Sequence, residues 1–181
     1  MTAPTSGQSG PLSPATATPA QLLFGDFEQE MAITRRVLER VPDGHAEWRP
    51  HEKSTSLGRL ANHVAELPRL ASSVAEAEEF DFAKTPYTPL ALATTAEIVR
   101  QFDEETARMR ARLEALTWQD VGTPWTLRAG DHVILSGPKG QVLRTLGLSH
   151  LAHHRAQLGV YLRLLGVAVP SVYGPSADEQ G

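Results

Sequence analysis

The sequence predicts an all-α protein, a four-helix bundle with a short irregular or β-prone segment before its last helix. Three observations carry this expectation. Four stretches of roughly 20 to 28 residues repeat apolar side chains at spacings of three and four. Pro, Gly, Ser, Thr or Asp signals bound these stretches. The β-prone pieces are short and lie together between the third and fourth stretches. At 181 residues, 41% of them hydrophobic and 21% charged, the chain can bury one substantial core.

Residues 1–20 are rich in Thr, Ser, Pro, Gly and Ala and are expected to form a flexible tail, since they carry too little apolar surface to order themselves. The bundle domain is expected over residues 21–170. Its first helix runs from Gln21 to Val41, with Leu23, Phe27, Glu30 or Met31, Thr34, Leu38 and Val41 on one side, and Pro42-Asp43-Gly44 ends it. A second helix, capped by Ser54 or Thr55, reaches Ala77 and turns Leu57, Leu60, Ala61, Val64, Leu67, Ala71 and Val74 inward. Pro68 lies inside it and predicts a kink or local irregularity. The aromatic stretch EEFDFAKTPYTPLA is expected to be a loop folded back over the bundle. A third helix starts at Thr94 or Thr95 and ends near Leu116, burying Ile98, Phe102, Met109 and Leu113 or Leu116. WTLR and HVIL then suggest a small hairpin turning through Ala129-Gly130-Asp131. The last helix begins at Pro138 and runs to Leu165, where Gly166 fits C′ and Pro170 follows as a stop. Residues 171–181 are expected to form a C-terminal tail.

Composition excludes several functions. The chain has no cysteine, so disulfides, thiolate catalysis and sulfur-ligated metals drop out. Lys+Arg 17 against Asp+Glu 21 gives a net charge of -4 with no basic block, so no nucleic-acid partner is expected. The first residues lack the charged and apolar regions of a signal peptide. No apolar stretch is long enough to span a bilayer, so no membrane partner is expected and the expected location is cytoplasmic.

The histidines carry most of the chemical information. LSHLAHHRAQLGVYLRLLG, opening at Leu148, holds three of the seven. On a helix of about 100° per residue, His154 falls about 40° from His150, while His153 falls at about 300°. His150 and His154 therefore share a face with Leu143, Leu146, Gly147, Leu158, Tyr161 and Leu165, which predicts that both point inward. Two imidazoles at i and i+4 can reach one ion. On the second helix His63 lies on a narrow arc with Leu60, Leu67, Leu70 and Val74. The three make a candidate metal site whose remaining positions stay open, as a catalytic metal requires. His153 is a candidate general base or a surface residue. His45, His51 and His132 are expected on loops.

Glu66, three residues after His63, is a candidate for orienting that ligand or handling a proton, although a solvated position on the bundle rim explains it as well. Glu30 and Glu104 lie near interior arcs and are weaker candidates. The helices hold no Glu-x-x-His pair of the di-iron kind. GxSxG, Walker and GxGxxG motifs are absent. Arg59, Arg69, Arg144 and Arg155 are expected to be mostly solvated, with a minor role toward an anionic thiol or carboxylate.

WRPHEKSTSLGRLANHVAELP at Trp48–Pro68, taken with LRTLGLSHLAHHRAQLGVYLRLLGVAVP at Leu143–Pro170, resembles the DinB/YfiT-like family. The resemblance covers residues 21 to 170. It implies an up-down-down-up bundle with the long crossing connection at TPYTPLA. It also implies a nickel or zinc ion held by the histidines that stand here at 63, 150 and 154. Family members resemble S-transferases that use a low-molecular-weight thiol as cosubstrate, with metal-dependent hydrolysis or non-catalytic metal binding as the alternatives. Expected partners are a small-molecule substrate or thiol and, since dimers are common in the family, a second copy of the chain.

Overall fold

The computed structural model describes residues 16–179. The expected N-terminal tail lies outside the described residues as far as residue 15. The next residues are tied down: Thr18 and Gln21 form a capping box, and Ala17 is buried.

Two helices stand where one was expected over residues 21–41: α1 (Pro19–Leu23) and α2 (Phe27–Leu38). The break is held from the far end of the chain. Arg144 grips the Asp26 carboxylate with two hydrogen bonds of 3.0 and 2.7 Å and donates a third to the Leu23 carbonyl. A helix terminus leaves carbonyls without partners, and Arg144 supplies one. It caps the broken helix while its side chain stays 45% exposed, as its place on a helix surface suggests.

Helix α3 (Leu57–Glu76) is capped by Ser56, one or two residues later than expected, and continues unbroken through Pro68. Its seven predicted apolar residues are each 1% exposed or less. Helix α4 (Thr95–Glu114) starts in a capping box of Thr94 with Glu97 and buries Ile98, Phe102, Met109 and Leu113 as expected, with Leu116 just beyond it also buried. Glu104, expected near the interior, is exposed, and its neighbour Glu105 is buried instead.

A short helix α5 (Trp118–Gly122) leads into the predicted hairpin of β2 (Pro124–Ala129) and β3 (His132–Pro138). The aromatic stretch is not wholly a loop. Its first residues form β1 (Glu79–Asp81), which pairs in parallel with β2, Phe80 opposite Leu127. Parallel pairing requires a long connection, which α4 and α5 provide. The Asp81 carboxylate accepts the Gly130 N–H at 2.9 Å and so joins β1 to the hairpin turn.

The last helix was expected to be regular from Pro138 to Leu165. Instead, α6 (Lys139–Leu143) passes into a π-helical turn over Arg144–Ser149 before α7 (His150–Leu164). The turn lies where the chain presses closely on α3 and α4. A Cβ on Gly147 would stand 2.9 Å from Met109 Cε and 3.1 Å from Ala71 Cβ. The extra residue of a π turn also shifts the phase of the following helix. The fully buried face of α7 is consequently Leu151, Arg155, Leu158 and Leu162, with His150, His154 and Tyr161 beside it, only partly buried. Gly166 occupies the expected C′ position with φ +72°.

The core is one cluster drawn from α2, α3, α4 and α7, with α3 packed most extensively on α4 and α7. Each fully buried Leu or Phe in it contributes about 1.5–3 kcal/mol relative to exposure. Beyond α7, residues 171–179 fold back over the bundle. Asp178 accepts the Val169 N–H at 2.9 Å, and Glu179 accepts that of Ser171 at 2.8 Å. No helix among the described residues is long and apolar enough to cross a membrane.

Candidate metal centre

The α3–α7 contact brings His63, His150 and His154 together. One ring nitrogen from each lies within 4.8 Å of the others. Ring centroids are 5.2 Å apart for His63 and His150, 4.6 Å for His63 and His154, and 4.7 Å for His150 and His154. The two α7 histidines face each other through their Nε2 atoms at 2.9 Å.

Hydrogen bonds on the far side of two rings fix their protonation. His63 Nδ1 stands 3.0 Å from a Glu66 carboxylate oxygen, and His154 Nδ1 stands 2.7 Å from Gln157 Oε1. Both partners are acceptors, so each Nδ1 carries the proton and each Nε2 keeps its lone pair. Burial pushes His150 down to about 4, with the neighbouring imidazoles adding to the effect. Burial also lowers His154, against an opposing hydrogen bond to Gln157. Both α7 rings are thus inclined toward the neutral form, His150 the more strongly. His150 Nδ1 is buried without a partner, one of two such side-chain atoms among the described residues.

The donor set fits a divalent ion of borderline softness. Three imidazoles converge, and two of them are oriented by acceptors on the opposite nitrogen.

Glu66 is not on the solvated rim that its spacing allowed. It is 3% exposed. Besides His63, its oxygens accept from Arg59 at 3.1 and 3.2 Å, from the Leu90 N–H at 3.0 Å and from the Tyr87 hydroxyl. Burial acts to raise this carboxyl, but these hydrogen bonds and the Arg59 charge outweigh it and hold it at about 2. One turn earlier, Asn62 accepts the Leu92 N–H at 2.9 Å and donates to the Leu92 carbonyl at 3.1 Å. Asn62 and Glu66, four apart on α3, therefore fasten the crossing segment over the site.

Sequence reasoning missed Asn62, Tyr87 and Gln157. The i,i+4 pair flanking His63 was the available signal for Asn62. His153 is exposed, its ring 4.8 Å from that of His154. His45, His51 and His132 are exposed and lie outside the cluster, with His132 at the start of β3. Arg155, expected in solvent, is 2% exposed and paired with Glu30 at 2.7 Å.

The cluster opens onto a pocket of about 540 Å³. Leu67 and Leu70 of α3, Phe80 and Phe82 of the crossing segment and Leu127 of β2 form its apolar wall, while His63 and His150 line it near the cluster. The small sheet thereby contributes directly to the site.

A bundle with an inward three-histidine cluster beneath a pocket defines a class of proteins able to coordinate a divalent ion. The chain belongs to the DinB family, whose model matches residues 15–180. It is similar to the uncharacterized protein YrdA of Bacillus subtilis, 27% identical over 162 residues that cover 84% of this chain and 87% of that one. The crystal structure of the DinB-like protein YjoA of Bacillus subtilis aligns with TM-score 0.62 at 19% identity, covering 87% of this chain and 99% of its own. A DinB-like protein from Bacillus cereus aligns with TM-score 0.60 at 22% identity, covering 83% and 95%. These likenesses show the fold: a DinB-like all-α bundle with a short β-rich insertion before its long last helix.

Proposed function

We propose that the protein is a divalent-metal-dependent enzyme in which His63, His150 and His154 hold nickel or zinc. Its reaction would transfer or activate a low-molecular-weight thiol. Support comes from one feature: three imidazole nitrogens within 4.8 Å of one another, opening onto a pocket of substrate size. A bound ion would supply Lewis acidity that lowers the pKa of a thiol or water in contact with it.

The chain's own residues divide the remaining work. Glu66 positions His63 by accepting its Nδ1–H, and Gln157 does the same for His154. The aromatic and aliphatic wall gives the reacting groups an apolar border on one side. Glu66 is a poor general base, because its oxygens are already committed and its carboxyl is held at about 2. A thiol gives up its proton more readily than water, which favours thiol chemistry over the alternative, hydrolysis with an activated water. No step is assigned to His153.

The test is turnover of chlorodinitrobenzene by nickel- and zinc-loaded protein with a panel of small thiols. Metal-dependent conjugation with one thiol is expected. Metal-dependent ester hydrolysis without a thiol would replace it with the hydrolase. Neither activity in metal-loaded protein would leave a non-catalytic metal-binding protein.

A further inference from the structure

We infer that the pocket above the histidine cluster selects a small organic carboxylate with an apolar body, and that Arg69 receives the carboxylate. As a statement about substrate this rests on the enzyme proposed above; the binding itself does not require it.

The charged groups lining the pocket are unequal. Arg59 and Arg69 are its cations, and Glu66 is its one carboxylate. Arg59 is committed, with both terminal nitrogens on Glu66 Oε1 and one also on the Tyr87 hydroxyl at 3.1 Å. Arg69 is not. Its ion-pair partner, Glu66 Oε2, stands 3.7 Å away, too far for a hydrogen bond. No hydrogen bond joins its guanidinium to the protein among the described residues. That Glu66 oxygen already accepts the Leu90 N–H, and its partner oxygen carries Arg59, His63 and Tyr87. The pocket therefore holds one more cation than anion, before any metal adds to the imbalance.

The geometry around Arg69 favours an amphipathic ligand. Its side chain is 40% exposed and borders the same pocket as Leu70, Phe80, Phe82 and Leu127. A planar guanidinium with unoccupied donors matches a carboxylate through paired hydrogen bonds. The apolar wall beside it accepts a hydrocarbon or aromatic body. A carboxylate held by Arg69 leaves the body of the ligand free to reach toward His63 and His150.

The test compares phenylbutyrate with phenylbutanamide, identical in shape and differing in charge, by calorimetry on metal-free and zinc-loaded protein. On the metal-free protein the acid should bind about tenfold tighter than the amide. Arg69→Met should reduce that preference to within about twofold while leaving amide affinity unchanged, and Arg69→Gln should do the same. Arg69→Lys should retain part of it. Equal binding of acid and amide to the wild type would overturn the inference, as would a preference that survives both uncharged variants. A preference seen only with zinc and indifferent to Arg69 would mean that the carboxylate binds the metal, and would also overturn it. Absence of binding by either ligand at millimolar concentration overturns it too. If the protein takes up neither zinc nor nickel, the enzyme proposal fails, yet the metal-free comparison still decides the role of Arg69.

Discussion

His154 and Arg155 are consecutive residues of α7 and belong to two polar clusters with opposite properties. Arg155 turns inward to Glu30 at 2.7 Å, to the Thr34 hydroxyl at 3.0 Å and to the Tyr173 hydroxyl at 2.6 Å, and Tyr173 donates back to Glu30 at 2.9 Å. That network is closed: each charge meets a partner within the protein, and Arg155 is 2% exposed. The histidine cluster is open. Two of its lone pairs are aimed inward by acceptors behind them, one nitrogen has no partner, and a pocket lies above. A satisfied buried network gives order, whereas imidazole nitrogens that converge at a cleft indicate a ligand.

Removing a member of each cluster should break the molecule in different ways. Arg155→Ala leaves Glu30 buried without its charge partner and should cost about 3–5 kcal/mol of stability, read from urea unfolding. Arg155→Met combined with Glu30→Leu should recover most of that loss. Metal bound per folded molecule should be unchanged in the double variant. If Arg155→Ala unfolds no more easily than wild type, the closed network is not structural.

Glu66→Gln acts on the open cluster. It should weaken zinc affinity by about 10–100-fold in competition with a chelating indicator, because His63 loses the acceptor that orients it. Unchanged affinity would remove Glu66 as a positioning residue.

Acid should separate the two clusters as well. His150 titrates near 4 in the folded metal-free protein and near 6.5 when unfolded. Between those values the unfolded chain binds more protons, so stability falls as pH drops from 6.5 toward 4. Glu66, held at about 2 against an ordinary 4.5, extends the loss below pH 4.5. His150→Gln should flatten the upper window by about 2 kcal/mol, since partial exposure to the pocket screens the effect. An unchanged slope in that variant would contradict the burial assigned to His150. The smallest effect is expected from His153→Ala: less than about 0.5 kcal/mol in stability, with no change in metal content.

The histidine trio was legible in the sequence because helical periodicity locates a residue relative to its own helix. His63 and Leu60 share an arc wherever α3 is placed. Glu66 was not legible. Its burial comes from Tyr87 and Leu90, which the crossing segment delivers from outside α3, and no pattern within α3 records that. Arg155 was misjudged for a related reason. Its partners Glu30 and Tyr173 lie far away in the chain, and an arginine on a helix is ordinarily solvated. Strand β1 was missed because three residues make a strand only when β2 is beside them. The bundle itself, with the hairpin before its last helix, followed from local pattern alone.

The most direct test of the metal centre is elemental analysis of protein purified without an affinity tag, then exposed to zinc or nickel and dialysed. Near-stoichiometric metal in the wild type, lost in His150→Ala but kept in His153→Ala, is the predicted result. A wild type that retains no metal, or a His150→Ala variant that retains as much, would contradict it.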